Sequence, residues 1–78
     1  MTATYRILVA TKVLEGAIQW PDGLRLTGSP LVLSDDPGMH WHEFEDDHAD
    51  PSLNGRNVEL TLSLVDGKPV ITGRAVVA

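Results

Sequence analysis

A chain of 78 residues has room for one domain, and the absence of cysteine removes both disulfides and thiolate metal sites as a means of holding so small a core together. The net charge is −5 and the six basic residues are scattered, which argues against a nucleic-acid-binding patch. No apolar run approaches the roughly 20 residues of a membrane-spanning helix. The opening Met1-Thr-Ala-Thr-Tyr-Arg6 also lacks the basic and apolar regions of a signal peptide, so the expectation is a protein that is cytoplasmic or assembled in a particle.

Taken in chain order, Thr4 to Leu14 alternates as a strand, with Tyr5, Ile7, Val9, Thr11 and Val13 on one face and Arg6, Leu8, Ala10, Lys12 and Leu14 on the other. Glu15-Gly16 marks a bend, and Ala17 to Trp20 continues extended. Pro21-Asp22-Gly23 has the chemistry of a turn, which makes Leu24 to Thr27 the return strand of a hairpin. Leu31 to Ser34 reads as another short strand, followed by a turn at Asp35-Asp36-Pro37-Gly38. Met39 to Phe44 fits a strand with His40, His42 and Phe44 on one side and Trp41 and Glu43 on the other, and the polar Asp46 to Gly55 reads as a loop.

The C-terminal stretch carries the clearest signal. Asp66-Gly67 separates two alternating apolar runs, and such a pair suits a two-residue turn whose central residues both need positive φ. Counting outward from it sets Val65 against Lys68, Leu62 against Ile71, Thr61 against Thr72 and Glu59 against Arg74. No helical stripe of useful length appears. The expected fold is all-β: a small antiparallel barrel or two-sheet sandwich of five to six short strands, forming one domain over residues 1–78, with an acidic loop insertion at about 35–55.

That insertion is where chemistry could sit. Leu26 to Gly55 contains seven acids, Asp35, Asp36, Glu43, Glu45, Asp46, Asp47 and Asp50, and no Lys or Arg. His40 and His42 at i and i+2 on a strand share a face and could share a divalent metal, with Glu45 or His48 completing the shell; these ligand types suit Zn²⁺, Ni²⁺, Mn²⁺ or Fe²⁺. His40-Trp-His42 followed by a Glu resembles part of the cupin signature over about six residues. The Glu comes too soon, and no histidine follows His48, so no cupin function is carried over. A His-x-His alone is a weak motif, and the plainer reading of the same residues is a solvated acidic loop whose imidazoles pack beside Trp41 or pair with carboxylates. The acid spacing lacks the Asp-x-Asp-x-Asp-Gly pattern of a calcium loop, and no serine stands in a Gly-x-Ser-x-Gly context.

Composition and pattern together point to a non-enzymatic structural or interaction module that self-assembles as a homo-oligomer or docks on a larger protein surface, such as a small accessory or decoration protein of a viral particle. Trp41, Phe44, Asp46 and Asp47 are the expected interface residues, with neither nucleic acid nor membrane as partner and no cofactor beyond a divalent metal. Two other readings stay open: a metal-binding protein or metal-dependent enzyme centred on His40 and His42, and an acidic inhibitor whose unpaired carboxylates mimic nucleic-acid phosphates.

Overall fold

The computed structural model of the chain describes residues 1–16, 18–28 and 38–77. The expected strand at Leu31–Ser34, and Asp35, Asp36 and Pro37 of the following turn, lie outside the described residues. The fold is all-β, built on a mixed five-stranded sheet in the order β2-β3-β1-β4-β5. Its strands are β1 (Ala3–Val9), β2 (Leu24–Leu26), β3 (His40–Asp46), β4 (Asn57–Val65) and β5 (Lys68–Val77). The expectation of a purely antiparallel sheet fails at one joint: β1 and β4 run parallel and meet at the single pair Arg6–Asn57.

β1 is central, and its alternation is as the sequence predicts. Ala3, Tyr5 and Ile7 are buried on the inner face, while Arg6 and Leu8 lie on the outer one. β1 stops at Val9 because its partner β3 begins at His40, the residue paired with Val9, so nothing continues the ladder. The chain instead coils into a short helix, α1 (Thr11–Gly16), begun by the Val13 N–H donating to the Ala10 carbonyl at 2.9 Å. The strand predicted through Leu14 is therefore broken, and Leu14 turns back to pack on the core. Val13 and Leu14 keep enough helix propensity for this because no sheet hydrogen bonds compete.

The Pro21-Asp22-Gly23 turn forms, with Gly23 at φ +88° and the Leu24 N–H donating to the Pro21 carbonyl at 3.2 Å. It does not make the predicted hairpin. β2 pairs with β3 instead, and Gln19 bridges Val70 of β5 in parallel. The Gln19 N–H donates to the Pro69 carbonyl at 2.9 Å, a bond that asks for no N–H from the proline, so the sheet edge at Pro69 accepts a neighbour. The strand expected at Met39 to Phe44 forms as β3, with neighbours on both sides, and the stretch read as a loop after it carries a 3-10 turn at Pro51–Leu53 capped by Asp50.

The C-terminal hairpin turns where predicted, with Asp66 at φ 51° and Gly67 at φ 78°. Its register holds from Val65–Lys68 to Leu62–Ile71 and then shifts by one, so that Thr61 faces Gly73, Leu60 faces Arg74 and Glu59 faces Ala75. Thr72 is the extra residue of a bulge on β5. Its hydroxyl lies 3.3 Å from Ser63 Oγ and 3.4 Å from the Thr61 carbonyl instead of facing Thr61 across the ladder. The predicted Glu59–Arg74 and Thr61–Thr72 pairs are thus lost, and Arg74 is turned to the inner face it would otherwise have missed.

The core gathers Tyr5 and Ile7 of β1, Leu24 of β2, Phe44 of β3, Val58 of β4, Ile71 of β5 and Ala49, with Trp20 stacked on Phe44 at 5.2 Å between ring centroids. Gly23 is fixed by this packing. Its carbonyl accepts the Asp47 N–H at 3.1 Å, and a Cβ at this position would stand 3.1 Å from Asp47 Cβ in a backbone conformation that L-residues avoid. Gly23→Ala should cost about 1–3 kcal/mol in urea unfolding, combining left-handed strain with the crowding of Asp47; a loss within about 0.5 kcal/mol would show that the turn relaxes freely.

Candidate functional site

β3 carries nearly all the residues singled out in the sequence, and strand alternation sorts them onto opposite faces. His42, Phe44 and Asp46 point inward and are buried; Trp41, Glu43 and Glu45 face outward and are half-buried.

The four candidate metal ligands are not brought together. His40 and His42 share the inner side as expected, but Glu45 projects from the other face, where Arg25 takes it, and His48 lies exposed in the turn after the strand. Among the described residues no group of three or more His, Asp or Glu is arranged to hold a metal ion. Two imidazoles alone fall short of the three protein ligands that a catalytic zinc site uses.

Two carboxylates of the acidic run share one counter-charge on the outer face. The Arg25 guanidinium grips Asp47 through both oxygens, Nη1–Oδ2 at 2.8 Å and Nη2–Oδ1 at 3.0 Å, and also bonds Glu45. Arg25 holds the Asp47 carboxyl below its ordinary value, and its own pKa is raised by Asp47 and Glu45 in turn. Asp50 is occupied as a cap, its Oδ1 accepting the Ser52 N–H at 2.9 Å. The premise of a carboxylate cluster without positive partners therefore does not hold for Glu45 and Asp47, nor for Asp46, which meets Arg74.

Asp46 departs furthest from expectation. It was expected at an interface, yet it is 0 % exposed. Its Oδ2 lies 2.5 Å from Arg74 Nε and accepts the Tyr5 hydroxyl at 3.2 Å, while Oδ1 accepts the His48 N–H at 3.0 Å. Ala3 of β1 and Leu24 of β2 stand opposite it on its two sides, and the small Ala3 side chain leaves space for the carboxylate. Burial pushes the Tyr5 hydroxyl above its ordinary pKa, opposed in part by the Arg74 bond. Phe44, likewise expected at an interface, is a core ring; of the four proposed interface residues, Trp41 and Asp47 remain partly accessible.

The surface that sequence reasoning missed lies where β1 and β4 part. After the Arg6–Asn57 pair the two strands share no ladder, and the opening is a cleft of about 390 Å³. Ile7, Leu8 and Val9 line one wall and Val58, Leu60 and Leu62 the other, and Trp41 also lines it. Beyond it the hairpin projects: every residue over 61–68 is exposed, including Leu62 at 44 % and Leu64 at 77 %. The sequence signal was present in Leu60-Thr-Leu-Ser-Leu-Val65, but that run reads as core unless it is known how far the hairpin outreaches its neighbours. No protein-family model, curated protein or solved structure matches the chain.

His42 gives the site a pH dependence. It is 1 % exposed, and burial, with the neighbouring His40, lowers its pKa against a smaller opposing interaction with the Val9 backbone. A depressed folded pKa means that the unfolded state takes up the proton first. Stability is therefore intact above about pH 6.5 and is lost as pH falls toward and through the folded value. His42→Leu should leave stability at pH 7.5 equal or higher and flatten its decline between pH 6.5 and 5, as read from urea midpoints; an unchanged decline would assign it to other groups.

Proposed function

We propose that this domain is a non-enzymatic interaction module that works by presenting the β1–β4 cleft and the projecting hairpin to a protein surface, either another copy of itself or a larger assembly such as a particle it decorates. One observation carries the reading: past Leu60, β4 keeps β5 along one edge but has no strand along the other among the described residues, and its Leu62, Leu64 and Val65 side chains stand exposed. Exposed apolar surface concentrated in one place, rimmed by polar residues, is characteristic of association sites, whereas single scattered apolar residues are not. The small size of the domain supports it further, since a chain this short gains stability by lending surface to a partner.

The enclosing chemistry agrees. Trp41 lines the cleft as a half-buried aromatic of the kind that anchors interfaces, and the acidic outer residues Glu45 and Asp47 share the Arg25 guanidinium, which cuts their charge and their repulsion of a partner. Size-exclusion chromatography with light scattering, from micromolar to millimolar concentration, should show mass rising with concentration. The folded chain should also bind an apolar fluorescent dye. Leu62→Ser with Leu64→Ser should lower both signals while shifting the thermal midpoint by only a few degrees, because both residues are already solvent-exposed. A folded wild-type chain that neither self-associates nor takes up the dye would overturn the reading.

A further inference from the structure

The reading of the domain as an interaction module leaves its partner open; resting on that reading, we infer that the partner is a second copy of the chain, joined β4 to β4 as antiparallel strands about a two-fold axis through Leu62.

Backbone polar groups set the register. The Arg56 carbonyl accepts the Arg6 N–H at 3.0 Å and so points toward β1. Groups on alternate residues of a strand point to the same edge, so those of Leu60, Leu62 and Leu64 also face the β1 side, where the ladder with β1 has ended. The residues between, Thr61, Ser63 and Val65, spend theirs on β5. An antiparallel copy centred on Leu62 pairs Leu62 with itself and Leu60 with Leu64, and it satisfies all three sets of edge groups from both chains.

Side chains agree with that register. On the inner face it builds an unbroken ladder of leucines, extending the apolar wall of the cleft. On the outer face it sets Thr61 against Ser63 and Glu59 against Val65. Within one chain Val65 faces Lys68, so the Lys68 of one copy lies one strand beyond the residue facing Glu59 of the other, on the same face. Two strand spacings amount to about 10 Å between backbones, a gap that a Glu and a Lys side chain span together. Neither Glu59 nor Lys68 has an ion-pair partner within its own chain among the described residues. Symmetry supplies this opposite-charge contact twice, while Leu60 to Val65 contains no charge that would meet its own sign. The two-fold also closes the assembly at two copies, because it uses up the edge it joins.

Sedimentation equilibrium of the intact chain tests this register. The wild type should be a monomer–dimer system. Leu62→Lys and Leu62→Glu should each weaken the dimer at least tenfold, since each places like charges on the axis, and an equimolar mixture of the two should restore a heterodimer. Glu59→Lys should weaken the dimer, and adding Lys68→Glu in the same chain should recover it. Circular dichroism checks folding; should the Leu62 variants unfold, the exposed Glu59 and Lys68 pair carries the test alone. A wild-type chain that is monomeric at millimolar concentration overturns the two-fold pairing but leaves docking on another protein standing. A dimer indifferent to Leu62 charge and to the Glu59/Lys68 exchange overturns the pairing while leaving self-association through another surface.

Discussion

The contact between Asp46 and Arg74 is the constraint on which the rest of the molecule turns. β3 and β5 are not neighbours; β1 and β4 lie between them. In a flat sheet, three strand spacings would separate them by about 14 Å, well beyond the reach of one arginine meeting one aspartate. Yet Arg74 Nε lies 2.5 Å from Asp46 Oδ2. The sheet must therefore curl strongly toward its inner face, and the Gln19–Val70 bridge likewise brings the segment leading into β2, the far edge strand, against β5. A buried carboxylate is costly unless paired and fully hydrogen-bonded, and here Tyr5, the His48 N–H and Arg74 together meet that condition. Its benefit lies in specificity: one curled arrangement satisfies the charge, and a flatter or slipped sheet strands it.

The β5 bulge makes this contact available. A regular ladder would have put Arg74 on the outer face beside Glu59; one extra residue at Thr72 reverses that. The same curl has a consequence at the opposite end of β4. As the proximal hairpin bends inward to deliver Arg74, β4 leaves β1 after a single pair, the cleft opens, and the distal hairpin is carried out into solvent. The internal ion pair and the external apolar arm are in this sense two ends of one distortion, and the proposed partner surface follows from the way the core is locked.

How much of this the sequence discloses depends on whether the signal is local. The Asp66-Gly67 turn, the Pro21-Asp22-Gly23 turn and the two faces of β1 are set by residues a few positions apart, and all are legible. The inward placement of Asp46 was also legible in principle, since it continues the parity of His42 and Phe44, but three successive acids invite a reading as a solvated run. The conversion of Thr11–Gly16 to helix was hidden because the limit of β1 is set by where β3 begins, some thirty positions later. The pairing of Glu45 and Asp47 with Arg25 was hidden for the same reason: it requires knowing that β2 lies beside β3 instead of folding back on the segment before it. Most of the proposed metal cluster dissolves once strand parity is applied, because an odd spacing separates Glu45 from His40 and His42.

A domain of this size is held by a net of roughly 4–12 kcal/mol, so one buried contact can decide whether it folds. A double-mutant cycle on Asp46→Asn and Arg74→Met, followed by urea unfolding at pH 7, measures the coupling directly. The account predicts that each single change costs about 3–5 kcal/mol, because each strands the other partner in the interior, and that the double change costs markedly less than their sum. Additive losses, or a single Arg74→Met change within about 1 kcal/mol of the parent, would contradict it and place the lock of the sheet elsewhere.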